Sequence, residues 1–199
     1  MVEAPEEIDV LLAQREFVEA QRLLLKAERA LKKDEIVATD INRQLNEKRK
    51  SLVEILSAEL CPAADRSLRA GARGQRLPAQ LLIELGQERK AAKLFLKSRT
   101  EAQRYSQKSL RVEGSLILYA SKFCRSFFDH IRETAKEFNH DFESRPVNYS
   151  ALVVWTKNEI SEFVTQLSAQ IFQSNVDIGD QAECVQNAMV NAQKVTLRH

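Results

Sequence analysis

The clearest candidate for chemistry in this sequence is a Glu-x-x-His motif, formed by Glu137 and His140. On a helix this spacing places the carboxylate and the imidazole on one face, and di-iron and di-manganese bundle proteins use such pairs as metal ligands. Those sites need the motif twice with two further glutamates, whereas this sequence contains it once. His130, followed by Glu133, has the reverse order. We therefore predict that His140 is a solvated residue near a helix end. A helical-bundle protein that binds a metal or another ligand is the alternative.

The other residues with catalytic potential lack the context that catalysis requires. No Gly-x-Ser-x-Gly motif occurs, three histidines provide little material for a general base, and no Gly-Lys-Ser/Thr follows Gly71 and Gly74. Cys61, Cys124 and Cys184 have no second cysteine or histidine at metal-ligand spacing. This pattern predicts free thiols instead of disulfides or a zinc site. We predict no catalytic residue, no metal, no cofactor and no enzymatic activity.

Positive charge is concentrated in one part of the chain. Residues 66–111 contain 12 Lys and Arg against 3 Glu, although the whole sequence has a formal net charge of only +2. If the segment is helical, six of these cations lie within roughly 60° of one another, beside an apolar face that contains Phe95. They are Lys90, Lys93, Lys97, Arg104, Lys108 and Arg111. We interpret them as a candidate contact for an acidic partner or an anionic membrane, the alternative being a solvated flank. The stripe lacks interleaved aromatic residues, so we predict no nucleic-acid partner.

The composition predicts long helices around these residues. Only 5 Gly and 4 Pro occur in 199 residues, so few points exist at which the backbone can turn tightly, and strand signals are nearly absent. The apolar spacing predicts an all-α fold of about eight helices, packed as antiparallel neighbours into an elongated rod of stacked bundles. The predicted helices cover residues 5–13, 17–33, 39–60, 78–85, 87–110, 115–142 and 150–173, and a last one opens at residue 180.

Particular residues are predicted to start these helices and to hold them together. Pro78 opens the fourth helix, Ser115 caps the sixth and Ser150 the seventh, while Asp180 and Glu183 form a capping-box analogue at the eighth. Aromatic rings at helical spacing are predicted to anchor the core, because such rings pack against neighbouring helices far more often than they line a ligand site. These anchors are Phe123, Phe127, Phe138, Trp155 and Phe163.

The organisation of the chain is predicted to be two helical bundles, residues 1–110 and 111–199, within a fragment of a larger subunit. A short internal similarity relates residues 20–26, Ala-Gln-Arg-Leu-Leu-Leu-Lys, to residues 91–97, Ala-Ala-Lys-Leu-Phe-Leu-Lys. Two copies are too few for a solenoid, which needs at least three. The acidic start does not resemble a signal peptide and no apolar run approaches membrane-spanning length. We therefore predict a cytosolic chain without a transmembrane segment.

Three segments together resemble one known family. They are DVLLAQREFVEAQRLLLKAE at Asp9–Glu28, LIELGQERKAAKLFLKSR at Leu82–Arg99 with the aromatic helix that follows it, and SALVVWTKNEISEF at Ser150–Phe163. Their order and spacing resemble the C-terminal helical region of exocyst complex component eight, the Exo-eighty-four subunit. The resemblance spans nearly the whole chain. The pattern Leu-Gly-x-x-x-x-Ala-x-x-Phe-Leu-x-x-Arg of that region is kept only approximately here, between Leu85 and Arg99.

The resemblance implies both an architecture and a role. It implies the stacked, cullin-repeat-like helical bundles of multisubunit tethering complexes, and a non-catalytic role in tethering secretory vesicles to the plasma membrane before SNARE-mediated fusion. It implies other exocyst subunits as partners, and a cytoplasmic location at the periphery of the plasma membrane and of secretory vesicles. Small GTPases or phosphoinositides would be bound through parts outside this chain. The helical-rod subunit of another vesicle-tethering or adaptor complex is the alternative.

Overall fold

The computed structural model describes residues 4–31, 39–61, 71–110, 115–142, 146–172 and 176–196. Within these ranges the chain forms eight α-helices and one short 3-10 turn, and no strand, so the prediction of an all-α fold is confirmed. The elements are α1 (Ala4–Ala13), α2 (Phe17–Leu31), α3 (Thr39–Leu60), the 3-10 turn (Ala72–Gln75), α4 (Arg76–Glu84), α5 (Glu88–Ser109), α6 (Leu116–Phe142), α7 (Pro146–Ile171) and α8 (Ile178–Thr196). The predicted end of the second helix, Lys33, lies outside the described residues.

Two of the helices that begin earlier than predicted, α4 and α7, have a proline in the first turn. The helix α4 begins at Arg76 instead of Pro78, and α7 begins at Pro146 instead of Ser150. The first turn tolerates proline because its N–H groups have no intrahelical partner and the fixed φ of proline suits the helix. The prediction that Ser150 caps α7 is therefore wrong, since that residue lies inside the helix.

Side-chain caps start α6 and α8. The hydroxyl Oγ of Ser115 accepts a hydrogen bond from the Ile117 backbone N–H at 3.2 Å, which confirms the predicted cap of α6. At α8 the cap is Asp177, whose Oδ2 accepts from the Gly179 N–H at 2.8 Å. The capping-box analogue predicted at Asp180 is wrong, because the Asp177 carboxylate allows the helix to begin earlier.

The chain divides into two compact units. The N-terminal unit comprises Met1–Leu60 and Leu77–Ala91, and the C-terminal unit comprises Cys61–Arg76 and Ala92–His199. The division predicted between residues 110 and 111 does not coincide with this one, and it stays a prediction, as does the elongated rod.

Polar side chains join the helices of the N-terminal unit. The guanidinium of Arg49 on α3 donates to both carboxylate oxygens of Glu28 on α2, each at 2.8 Å, and to the Leu85 carbonyl at 2.9 Å. The buried amide of Gln21 on α2 donates to the Leu81 carbonyl at 3.3 Å and to Glu84 at 3.0 Å. These contacts fix α2 between α3 and α4, because each polar group that is taken from water has a partner.

Aromatic rings from three helices form the core of the C-terminal unit. Phe163 of α7 stacks on Phe127 of α6 with ring centroids 4.1 Å apart, and on Phe123 of α6 at 5.3 Å. Phe95 of α5 packs against Phe138 of α6 at 6.0 Å. All of these rings are buried, so the four phenylalanines predicted as anchors lie in the core.

The fifth predicted anchor, Trp155 of α7, is buried against α5. Its Nε1 donates to the Thr100 hydroxyl at 2.8 Å, and that hydroxyl donates to Glu159 at 2.5 Å. The indole ring therefore fills the core while its polar edge remains hydrogen-bonded, which is the usual arrangement for a buried tryptophan.

Candidate interaction surface

The helix α5 has a buried apolar face and an exposed cationic face. Phe95 and Ala102 are buried, whereas the cations one or two turns apart on another flank of the helix are exposed. Within the C-terminal unit these exposed residues, here called the cationic strip, are Lys93, Lys97, Arg104 and Lys108. Of the other two predicted cations, Lys90 is exposed on the part of α5 that belongs to the N-terminal unit, and Arg111 lies outside the described residues.

Intramolecular ion pairs neutralise little of the cationic strip. Lys97 lies 3.8 Å from Glu101, one helical turn away, in a solvent-exposed pair. Lys93, Arg104 and Lys108 form no ion pair with any residue in the described ranges. An exposed pair such as Lys97–Glu101 is weak, so the strip presents net positive charge to solvent.

A groove of about 470 Å³ lies beside the C-terminal end of the strip, between α5 and α7. Arg104 and Lys108 line its α5 side, and Tyr119 and Phe123 of α6 also line it, with their ring centroids 5.9 Å apart in a stacked arrangement. Partial burial raises the pKa of the Tyr119 hydroxyl, which therefore remains protonated. The other lining residues are Gln107, Glu162, Gln166, Ala169 and Gln170.

The chemistry of this groove suits a segment that carries a carboxylate beside an apolar or aromatic side chain. The two cations can bind a carboxylate, and the stacked rings offer an apolar surface next to them. Glu162 is the acidic residue on the α7 side of this groove, and its carboxylate accepts a hydrogen bond from the Gln166 amide at 2.9 Å.

A buried polar network that was not predicted joins α5 and α6. Arg99 is only 1% exposed and His130 only 7%. The Arg99 Nη2 lies 3.1 Å from the His130 Nδ1, and its Nε donates to the Thr134 hydroxyl at 3.2 Å. The His130 Nε2 lies 2.9 Å from the Arg99 carbonyl oxygen. Because a carbonyl can only accept, Nε2 carries the proton and Nδ1 accepts from the guanidinium.

The electrostatics of this network keep His130 neutral. Burial, and secondarily the charge of Arg99, lowers the pKa of His130 from 6.5 to about 3. Burial also lowers the pKa of Arg99, and Glu133, 3.9 Å away, opposes that shift. The imidazole therefore orients the guanidinium within the core, and both of its nitrogens are occupied. No sequence motif marks this pair, since the two residues are 31 positions apart.

Glu137 and His140, the residues of the Glu-x-x-His motif, are not assembled as a site. The buried Glu137 carboxylate accepts hydrogen bonds from Arg76 at 2.5 Å and from Arg73 at 3.2 Å. Its burial favours a higher pKa, but the hydrogen bonds and charges of the two arginines outweigh that effect and lower it. His140 is exposed and its Nδ1 lies 2.9 Å from Asp141, as predicted for a solvated residue near a helix end. Among the described residues, no three His, Cys, Asp or Glu side chains gather as metal ligands would.

Cys61, Cys124 and Cys184 are free, and burial is the main cause that raises the pKa of the Cys124 thiol to about 11. Such thiols are unreactive at neutral pH. In the described part of the chain, no helix combines the length and the apolar character needed to cross a membrane.

The fold and this surface define an all-helical protein with an aromatic core and an exposed cationic flank. Comparison with known proteins identifies the family. The chain belongs to the exocyst component 84 C-terminal family, which matches residues 1–197, and the resemblance inferred from the sequence is thereby confirmed.

Curated relatives cover almost all of the chain. It is similar to exocyst complex component 8 of Gallus gallus, with 38% identity over 98% of this chain and 27% of that protein. The corresponding protein of Xenopus laevis is 37% identical over 98% of this chain and 28% of its own length. That of Homo sapiens is 39% identical over 97% and 27%. The chain therefore spans only about a quarter of the length of these relatives.

Proposed function

We propose that this chain is a non-catalytic region of an exocyst subunit, which helps to tether secretory vesicles to the plasma membrane before SNARE-mediated fusion. The observation that carries the proposal is the family match across residues 1–197, together with relatives named exocyst complex component 8. The partners are other exocyst subunits, and the location is cytoplasmic, at the periphery of the plasma membrane and secretory vesicles. Small GTPases or phosphoinositides would be bound by parts of the subunit outside this chain.

The use of the ionisable side chains supports a structural role. Two residues with side chains suited to proton transfer or metal binding, His130 and Glu137, are held in the core by Arg99 and by Arg73 and Arg76. A general base needs a free nitrogen or oxygen within reach of a substrate, and these contacts occupy the groups that would serve. Their geometry instead fixes α6 against its neighbours and leaves the flanks available for partners.

The cationic strip is the proposed partner contact. In this role, Arg104 and Lys108 bind carboxylates of a sister subunit, and an apolar side chain beside them enters the groove and contacts Tyr119. Charge on the rim of an interface guides association and orientation, while a central apolar contact supplies affinity. The charge surplus of the strip and the groove beside it support this assignment.

Reversing two charges of the strip tests the contact. We expect the double substitution Arg104→Glu and Lys108→Glu, made in the full-length subunit, to weaken capture of purified sister exocyst subunits about tenfold, because two attractions become repulsions. The melting temperature should change by no more than about 2 °C, since both side chains are exposed. Pull-down titration and thermal denaturation measure the two effects.

The matched control is Lys50→Glu with Lys136→Glu, which makes the same change in net charge at exposed positions on α3 and α6. Capture by the control should stay within about twofold of the wild type. Equal capture by all three proteins would remove the strip from the interface, while leaving the family assignment intact.

A further inference from the structure

A second group of exposed cations lies on α2, in the N-terminal unit. Arg22, Lys26 and Arg29 are exposed and line a groove of about 440 Å³ with the side chains of Leu25 and Ala30. At 100° per residue the three cations lie within roughly 60° of one another along two helical turns. They therefore form one line of positive charge beside a small apolar surface.

The acidic residues of α2 leave this line with a charge surplus. The Glu28 carboxylate accepts two hydrogen bonds from the guanidinium of Arg49, so its charge is already paired. Glu19 pairs with Arg22 at 2.7 Å. Lys26 and Arg29 form no ion pair with any residue of the described ranges, so two full positive charges face solvent here.

The same local structure occurs twice in the chain, and the backbone hydrogen bonds establish the match. Between α1 and α2, the N–H of Arg15 donates to the Leu12 carbonyl at 3.1 Å and that of Glu16 to the Leu11 carbonyl at 2.9 Å. Between α4 and α5, the equivalent bonds, 71 positions later, run from Gly86 to Ile83 at 2.9 Å and from Gln87 to Leu82 at 2.8 Å.

Both turns also use a left-handed residue at the same place. The φ angle is 63° at Arg15 and 74° at Gly86, and each of these residues lies two positions before its second helix begins. A left-handed residue closes a helix in many proteins, and glycine adopts that conformation without steric cost. The short similarity between residues 20–26 and 91–97 is thus part of a repeated helix-turn-helix unit.

The repeat places cations at matched positions. Ala20 and Leu24 are buried, as are their equivalents Ala91 and Phe95. Outside that buried face, Arg22 and Lys26 are exposed, and so are the equivalent residues Lys93 and Lys97 of α5. Each copy of the repeated helix-turn-helix therefore buries the same face and presents a pair of cations one turn apart.

We propose that Arg22, Lys26 and Arg29 of α2 form a second docking surface, which binds an acidic amphipathic helix of a partner protein. Carboxylates spaced three or four residues apart on that helix meet the line of cations, and an apolar side chain between them contacts Leu25. A flat anionic membrane fits less well, because the exposed carboxylate of Glu19 lies in the same row and the apolar contact lies in a groove. This surface is separate from the cationic strip and goes beyond the proposed function.

Binding of a defined peptide tests this surface. The probe is a fluorescent helical peptide of roughly 18 residues, with glutamate at every third or fourth position of one face and leucine beside it, long enough to follow α2. We expect Lys26→Glu with Arg29→Glu to weaken its binding to the chain about tenfold in a fluorescence anisotropy titration. Lys50→Glu with Lys136→Glu, the matched charge control, should bind within about twofold of the wild type.

Two outcomes would overturn the proposal. One is an equal loss of peptide binding in the control and in the α2 variant, which would mean that net charge alone governs binding. The other is unchanged peptide binding by the α2 variant, with loss of binding to vesicles of phosphatidylserine and phosphatidylcholine, which would assign the surface to a membrane. The assay contains no sister exocyst subunit, so its failure is distinct from failure of the proposed function.

Discussion

Replacing Phe127 with alanine is expected to lower the free energy of unfolding by about 3 to 5 kcal/mol, because the cavity left in the core cannot be refilled. Phe127 is 1% exposed, and its ring stacks on Phe163 at 4.1 Å and meets Phe128 edge-on at 5.2 Å. The substitution removes these ring contacts as well as the buried apolar area. Urea denaturation of the wild-type and variant chains, followed by far-ultraviolet circular dichroism, measures the difference.

Phe172 provides the control, since it is the same residue type at 61% exposure, just after the end of α7. Phe172→Ala should change the free energy of unfolding by less than about 0.5 kcal/mol. A loss below about 1 kcal/mol for Phe127→Ala would contradict the packing described here and would make that aromatic face a docking surface.

Acidification is expected to destabilise the chain through His130. The pKa of this residue is about 3 in the folded state and about 6.5 when unfolded, so the unfolded state binds the extra proton as pH falls below 6.5. Stability is thus fully present above pH 6.5 and is lost progressively toward pH 3. The loss between about pH 6.5 and about pH 5 amounts to about 2 kcal/mol, at 1.36 kcal/mol for each pH unit. Urea denaturation at several pH values measures it.

The matched variant is His130→Gln, whose amide can donate to the Arg99 carbonyl and accept from its guanidinium without titrating. Its stability should be nearly independent of pH in the same window. Glu137 does not interfere, because its folded pKa is lowered, so its contribution is retained above about pH 4.5 and lost only as pH falls further. Parallel pH dependence in the wild type and the variant would show that His130 is not held neutral in the fold.

The helices and their aromatic anchors could be predicted because their signals are local. Apolar spacing defined the long helices, and rings such as Phe127 and Phe163 pack as the spacing indicated. The exact helix starts were less predictable, since α7 accommodates Pro146 in its first turn and the Asp177 carboxylate caps α8, and apolar spacing marks neither position. The spacing of apolar residues also does not show which part of an apolar stripe a neighbouring helix covers. Val153 and Val164 of α7 are exposed, although they lie in the same helix as the buried Phe163.

The polar interior could not be predicted, because it depends on residues that are distant in sequence. An arginine such as Arg99 is expected at the surface, because arginine side chains are mostly exposed in proteins. Only the packing of α6 beside α5 gives it His130 and Thr134 as partners. The partners of Glu137 in the Glu-x-x-His motif could not be predicted for the same reason, because they are arginines of the 3-10 turn and of the first turn of α4. The cationic residues of α5 were easier to predict, since a charge surplus on one helical flank is visible in the sequence. The groove beside them could not be predicted, because residues from three helices form it.

Affinity purification of the full-length subunit from cells, with quantitative mass spectrometry of the proteins that copurify, is the decisive test of the proposed exocyst role. Because the proposed role is to hold partners together, we expect stoichiometric recovery of the sister exocyst subunits, and weaker recovery after Arg104→Glu with Lys108→Glu. Recovery of the intact protein without any exocyst subunit, or with the subunits of a different tethering complex in their place, would contradict it.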